Sequence, residues 1–236
     1  MKPLADCRLY TFIDTGYLRG RDPTEIARQL CEGGSDLVQL RAKNSAPDEI
    51  RRLAESIAPI LREANVGLVI NDHYDIAKEV GADLCHLGQE DFFDNNVFGR
   101  AERCDALNIR VSQELAPPEI IVGISTGPSA PLIGLSTHAP EQAERALAAQ
   151  PAYIAIGPVY ATGTKPGAKP VTLEYVRWAA SHVTIPWFAI GGINLENIEE
   201  VVAAGAKRIC VVSAILNSPD IAGSCCGFRK RLCDRV

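Results

Sequence analysis

Ile154-Ala155-Ile156-Gly157-Pro158-Val159-Tyr160-Ala161-Thr162-Gly163-Thr164-Lys165-Pro166-Gly167 runs from an apolar strand into a glycine-rich turn, then presents two hydroxyls and an ammonium within four residues. Backbone N–H groups of such a turn, two threonine hydroxyls and a lysine form a receptor for phosphate oxygens. A parallel-sheet strand carries a loop of this kind to one rim of the sheet, where ligands bind. A solvated loop with a surface lysine has the same pattern. Its meaning therefore depends on how the other strands end.

Outward from this stretch, short apolar strands alternate with amphipathic helical stretches. The strands fall at residues 8–13, 37–40, 67–70, 84–87, 132–135, 153–156, 187–190 and 208–212. Helical spacing appears at 23–32 (Ile26, Ala27, Leu30), from Pro47 through Leu53, Ile57 and Leu61, and at 73–80; further helices open near Pro140, Thr172 and Asn194. Continuously apolar strands alternating with helices predict a parallel sheet covered by helices. Eight such units in 236 residues predict an α/β fold, a single-domain (β/α)8 TIM barrel with its site at the C-terminal strand ends. A doubly wound open sheet competes, but Asp14-Thr15-Gly16 after the first strand lacks its glycine fingerprint. No Ser-, Gly- or Pro-rich linker divides the chain, so residues 1–236 read as one domain. A longer irregular connection occupies about 92–131 and a tail about 218–236. Two similar segments, Gly123-Ile124-Ser125-Thr126 and Gly134-Leu135-Ser136-Thr137, compete for the fifth strand, and periodicity does not separate them.

The composition, 47% hydrophobic and 22% charged, is that of a globular protein. A net charge of −5 argues against a nucleic-acid or anionic-membrane surface, so any bound anion must be held by a local cationic cluster. No apolar run has the length of a membrane span, and the start of the chain lacks a signal-peptide core. The eight cysteines form no C-x-x-C pair; they predict buried or idle thiols in a reducing cytoplasm, with a redox or metal patch at Cys225, Cys226 and Cys233 as the alternative.

In a barrel, the strand ends spell out the site. Strand alternation puts Gln39, Arg41 and Lys43 on one face, a cationic wall suited to a polyanion. Asp72 follows the third strand and Asp91 the fourth, and carboxylates at neighbouring strand ends facing phosphate donors suit Mg²⁺. Asp72 could also cap the helix that follows it. His73, His86 and His138 lack ligand spacing and read as packing or capping residues. Gly191-Gly192 and Val212-Ser213, after strands seven and eight, match the phosphate cradle of many barrels, the glycines allowing close backbone approach. The chain thus predicts two anion sites, a monophosphate cradle and a cationic, Mg²⁺-assisted diphosphate site.

These residues resemble thiamine-phosphate synthase from about residue 8 to residue 216. The marks are QLRAK at 39–43, ND at 71–72, HLGQED at 86–91, GLSTH at 134–138, GPVYATGTKPG at 157–167, AIGGIN at 189–194 and VVSAI at 211–215. The resemblance implies an enzyme that joins a hydroxymethylpyrimidine diphosphate to a thiazole phosphate, or its carboxylated form, releasing pyrophosphate. It assigns Gln39, Arg41, Lys43, Asn71, Ser136 and Lys165 to the pyrimidine diphosphate, and Asp72 and Asp91 to Mg²⁺. Thr162, Gly163, Thr164, Gly192, Val212 and Ser213 are assigned to the thiazole phosphate. Ser136 is favoured over Ser125 because the helix from Pro140 follows it directly.

Arg41, Ser136 and Lys165 are the expected catalytic groups, binding the departing diphosphate. A thiazole nitrogen with a free lone pair needs no base, so the expected route is dissociative. A thiazole tautomerase on the same barrel would place a histidine in the turn held by Pro158. A non-catalytic thiamine-precursor binding protein could dispense with the aspartate pair.

Overall fold

The computed structural model describes residues 1–93, 130–163 and 170–233. The Gly123–Thr126 segment with Ser125, most of the 92–131 connection, and Thr164 and Lys165 lie outside the described residues. Eight parallel strands close into a barrel in sequence order: β1 (Leu9–Asp14), β2 (Leu37–Arg41), β3 (Gly67–Asn71), β4 (Leu84–Leu87), β5 (Leu132–Thr137), β6 (Tyr153–Ile156), β7 (Trp187–Ile190) and β8 (Ile209–Cys210). The fifth strand is the segment carrying Ser136, whose register pairs Ser136 with Ala155 of β6. Between and after the strands run α1 (Pro23–Glu32), α2 (Pro47–Glu63), α3 (Tyr74–Glu79), α4 (Gln89–Phe93), α5 (Pro140–Ala148), α6 (Thr172–His182), α7 (Ile198–Ala203), α8 (Ser213–Leu216) and α9 (Ile221–Cys233).

Helix starts follow local chemistry. The Asp22 carboxylate accepts from the Thr24 N–H at 2.9 Å, and Pro23 pre-sets the first turn of α1. The helix expected from Asn194 begins instead at Ile198. The Asn194 side chain accepts from Glu196 N and Asn197 N, while Asn197 Oδ1 accepts from Asn194 N, a side-chain-bonded turn that leads into the helix, where Ile198 N donates to Asn194 O at 3.0 Å.

Inside the barrel, Tyr10, Tyr153 and Phe188 meet edge to face with ring centroids 5.3–5.9 Å apart. Gly134 makes room for them: a Cβ there would lie 2.1 Å from the Tyr153 ring. The 218–236 tail contains helix α9, which buries Ile221, Cys225, Phe228 and Leu232. Burial pushes the Cys225 thiol up to about 12, whereas Cys226 and Cys233 are exposed. Among the described residues no group of three or more His, Cys, Asp or Glu side chains could hold a metal. Nor is any described helix long and apolar enough to cross a membrane.

The end of the barrel opposite the strand C-termini is tied by Asp36. Its carboxylate accepts from Arg8 N at 2.5 Å, Leu9 N at 2.9 Å and Arg229 Nη1 at 2.6 Å, and it pairs with Lys2 Nζ at 2.5 Å. Burial alone would raise its pKa, but these donors together hold it below the ordinary carboxylate value. A depressed carboxyl contributes stability that is complete above its unfolded pKa and lost as pH falls through the folded one. Asp36→Asn should therefore lower unfolding free energy by about 2 kcal/mol at pH 7, the worth of a hydrogen bond to a charged group. The gap to wild type should narrow as urea titrations are taken below about pH 4.

Candidate active site

The C-terminal strand ends open into a cavity. Going round the barrel, it is lined by Gln39 and Arg41 of β2 and Lys43 after it, by Asn71 of β3 and Asp72 after it, and by Asp91 after β4. Ser136 of β5, Thr162 after β6, Gly192 after β7, and Val212 and Ser213 after β8 complete the lining. Strand alternation with eight-fold closure brings these distant segments together. Gly163 is not part of this lining.

The cationic wall is partly neutralised from within. Arg41 Nη1 lies 2.6 Å from Asp14 Oδ2, and Asp14 Oδ1 accepts from Gly16 N at 2.9 Å. Asp14 is only 3% exposed, so it is a fixed counter-charge that orients the guanidinium. Sequence inspection missed it by ending the first strand at Ile13. The alternation Tyr10, Phe12, Asp14 carried the signal, because it continues the inward-facing set to the rim.

Asp72 has φ of +64°, unusual for a residue other than glycine, and its carboxylate accepts from Asn71 Nδ2 at 2.6 Å. The capping role considered for it is not observed. The N-cap of α3 is His73, whose side chain makes no capping hydrogen bond. Burial first, then the Asp91 charge, raises the Asp72 pKa, while Lys43 and the Asn71 hydrogen bond oppose the shift. Two carboxylates near enough to repel in a partly buried cavity are an arrangement a divalent cation relieves. Asp91 sits in the first turn of α4, its carboxylate oxygen 2.9 Å from where a Cβ on Gly88 would be; glycine leaves it that space.

At the opposite rim, the expected reason for glycine at 192 needs correction. Gly191 and Gly192 have φ of +103° and +64°. A Cβ on Gly192 would lie 2.7 Å from both Ala161 O and Tyr160 Cβ, so it would strike the β6 loop rather than fill an anion cradle. The glycine is needed for its backbone conformation and for loop-on-loop packing. Nonetheless, no hydrogen bond within the described residues engages the backbone N–H of Gly192, Val212 or Ser213, which leaves these donors for an anion.

The histidines behave differently from one another. His86 contacts Tyr153 Oη through Nδ1 at 2.9 Å and Ser136 Oγ through Nε2 at 2.8 Å, so it belongs to the site's own hydrogen-bond network. His138 lines the cavity, with Nδ1 against the Gly157 carbonyl. Gln89 donates from Nε2 to the Ser136 carbonyl at 2.9 Å.

The family model described as thiamine monophosphate synthase matches residues 9–130 and 95–215. The chain belongs to the thiamine monophosphate synthase family. It is 37% identical over 217 residues to a thiamine-phosphate synthase of Lawsonia intracellularis, covering 92% of this chain and 88% of the relative. It is 40% identical over 201 residues to one of Thermus thermophilus, covering 85% and 84%. Among solved structures, a thiamine phosphate pyrophosphorylase from Pyrococcus furiosus superposes with a TM-score of 0.78 at 26% identity, covering 98% of each chain.

The Arg41–Asp14 pair yields a test that separates stability from function. Arg41→Ala leaves Asp14 buried without its counter-charge and should lower unfolding free energy in urea by about 3 kcal/mol. Adding Asp14→Asn to that variant should restore most of the stability while leaving the cavity without its guanidinium.

Proposed function

We propose that the chain condenses 4-amino-2-methyl-5-(diphosphooxymethyl)pyrimidine with 4-methyl-5-(2-phosphoethyl)thiazole to give thiamine phosphate and pyrophosphate, or with its carboxylated form to give the same products and CO2. The transferase activity follows from the family. The observation that carries its assignment to this cavity is the pairing of two anion-binding regions in one pocket. The Gln39–Arg41–Lys43 wall and Ser136 receive the diphosphate. The unengaged N–H groups of Gly192, Val212 and Ser213, with the motif residues Thr162, Gly163 and Thr164, receive the thiazole monophosphate. Asn71 contributes to the pyrimidine side, and Lys165 is assigned to the diphosphate by the family's motif. We place the reaction in the cytoplasm, a reading supported by the buried, unpaired thiols of Cys7, Cys85, Cys210 and Cys225.

Asp72 and Asp91 are the residues that would hold Mg²⁺, and the donor set fits it. Both are hard oxygen ligands, the Asp91 charge adds to burial in raising the Asp72 pKa, and Mg²⁺ commonly takes one or two carboxylates together with substrate phosphates. When bound, the ion supplies neutralisation of charge on the leaving diphosphate.

The chain's own residues do the rest. Arg41, Lys43, Lys165 and Ser136 hold the diphosphate, and their attraction grows as negative charge collects on it, so they lower the barrier rather than merely bind. The thiazole nitrogen attacks with its own lone pair. No proton must leave it, and no general base is required. Breaking the carbon–oxygen bond is then the difficult step, giving a pyrimidine-stabilised cation captured by the thiazole held beside it.

Mixing both substrates and Mg²⁺ with the purified protein should give thiamine phosphate and pyrophosphate in equal amounts. Thiazole isomerisation without pyrophosphate release would identify a tautomerase instead. Asp91→Ala should lower kcat about 10²- to 10³-fold, the usual loss for one electrostatic stabiliser, with thiazole phosphate affinity of the free enzyme nearly unchanged by calorimetry. Electron-withdrawing substituents on the pyrimidine should slow single-turnover bond cleavage steeply, because they destabilise the cation; a flat response would exclude the dissociative route.

A further inference from the structure

A single file of hydrogen bonds crosses the barrel interior beneath the cavity. Gln39 Nε2 donates to Tyr10 Oη at 2.5 Å, Tyr10 Oη meets Tyr153 Oη at 2.9 Å, Tyr153 Oη meets His86 Nδ1 at 2.9 Å, and His86 Nε2 meets Ser136 Oγ at 2.8 Å. Its two ends, Gln39 and Ser136, both line the cavity, while both tyrosines are at most 1% exposed. Burial pushes both phenols well above their ordinary pKa, so each keeps its one proton and must pass that proton along the file.

The geometry points to His86 as the positioning residue of the reaction, held by Tyr10 and Tyr153 as the Nε2–H tautomer, which donates to Ser136 Oγ and thereby turns the serine hydroxyl proton outward to the diphosphate. Proton counting gives the direction. Gln39 donates its amide N–H to Tyr10, so the Tyr10 hydroxyl proton goes to Tyr153 and that of Tyr153 to His86 Nδ1. The imidazole, accepting at Nδ1, carries its proton at Nε2. Ser136 Oγ accepts that proton and keeps its own to offer the ligand. Run the other way, the Gln39 carbonyl would face Tyr10 and the serine proton would be consumed by His86, leaving lone pairs facing an accumulating negative charge. Gln89 fixes the same serine by its carbonyl, so main chain and hydroxyl are both held. Gly134 belongs to the device as well, since any side chain there would displace the Tyr153 ring.

This inference rests on the proposed role of Ser136 toward the diphosphate, so its first test does not use turnover. In ¹⁵N-labelled wild-type protein near neutral pH, the His86 ring, assigned by the resonance lost in His86→Gln, should show an unprotonated, pyridine-type Nδ1 and a protonated, pyrrole-type Nε2. A protonated Nδ1 would overturn the proposal whether or not the condensation activity is found.

The second test is kinetic. His86→Phe should lower kcat about tenfold, the rate equivalent of one misdirected hydrogen bond, with the thiazole phosphate KM unchanged. His86→Gln, whose side-chain amide can present an N–H near the position of Nε2, should recover most of that loss. In a Ser136→Ala background, His86→Phe should add no further loss, because its effect passes through the serine. Additive losses, or no rescue by glutamine, would show that His86 serves packing alone.

Discussion

Closing eight parallel strands leaves a narrow interior that side chains must fill, and in this barrel the filling includes polar groups that water cannot reach. That constraint organises the rest. Tyr10 and Tyr153 supply the bulk, and Gly134 supplies the space. Each buried hydroxyl must then find a partner, since an unmatched polar group in the interior costs about 1–3 kcal/mol. The partners available are side chains one layer nearer the C-terminal rim, His86 and Gln39. Satisfying the core therefore fixes residues at the cavity floor, and stability and site geometry rest on the same bonds.

Charge is handled by the same economy of position. The chain is acidic overall, yet the cavity must receive anions, so cations and carboxylates are sorted by strand. Arg41 is pinned by the buried Asp14 and keeps the rest of its guanidinium for the cavity. Asp72 and Asp91 line the same cavity after neighbouring strands, where burial and then the Asp91 charge raise the Asp72 pKa. At the far rim the donors are backbone N–H groups, which carry no net charge. Their availability follows from chain conformation at the ends of β7 and β8 rather than from any side chain. At the opposite end of the barrel, Asp36 gathers backbone and side-chain donors from the chain's beginning and from α9, tying both to β1.

Much of this was legible in the amino-acid order. Apolar runs such as Leu84–Leu87 and Tyr153–Ile156 mark buried parallel strands because both faces of such a strand are covered. Rim residues such as Arg41, Asp72 and Ser213 could be picked out because a barrel places the site after its strands. Helix starts were readable where a local signal dominates, as at Asp22-Pro23, and misread at Asn194, where side chains bond the backbone of the turn that leads into the helix. The role of Gly192 was misjudged because a glycine in sequence does not say which way its missing side chain would have pointed.

The sequence by itself determined the strand–helix alternation, the choice of a barrel and most of the polar residues at its rim, because periodicity and strand parity are local properties of the chain. Only the tertiary structure decided that Asp14 pairs with Arg41, that the tail folds as α9 over α1, and that His86 stands between Tyr153 and Ser136. Such contacts join residues far apart in sequence, as do Asp36 and Arg229, 193 positions apart. They depend on register and on which side chains the closed barrel forces into contact, and neither can be read from a residue's neighbours along the chain.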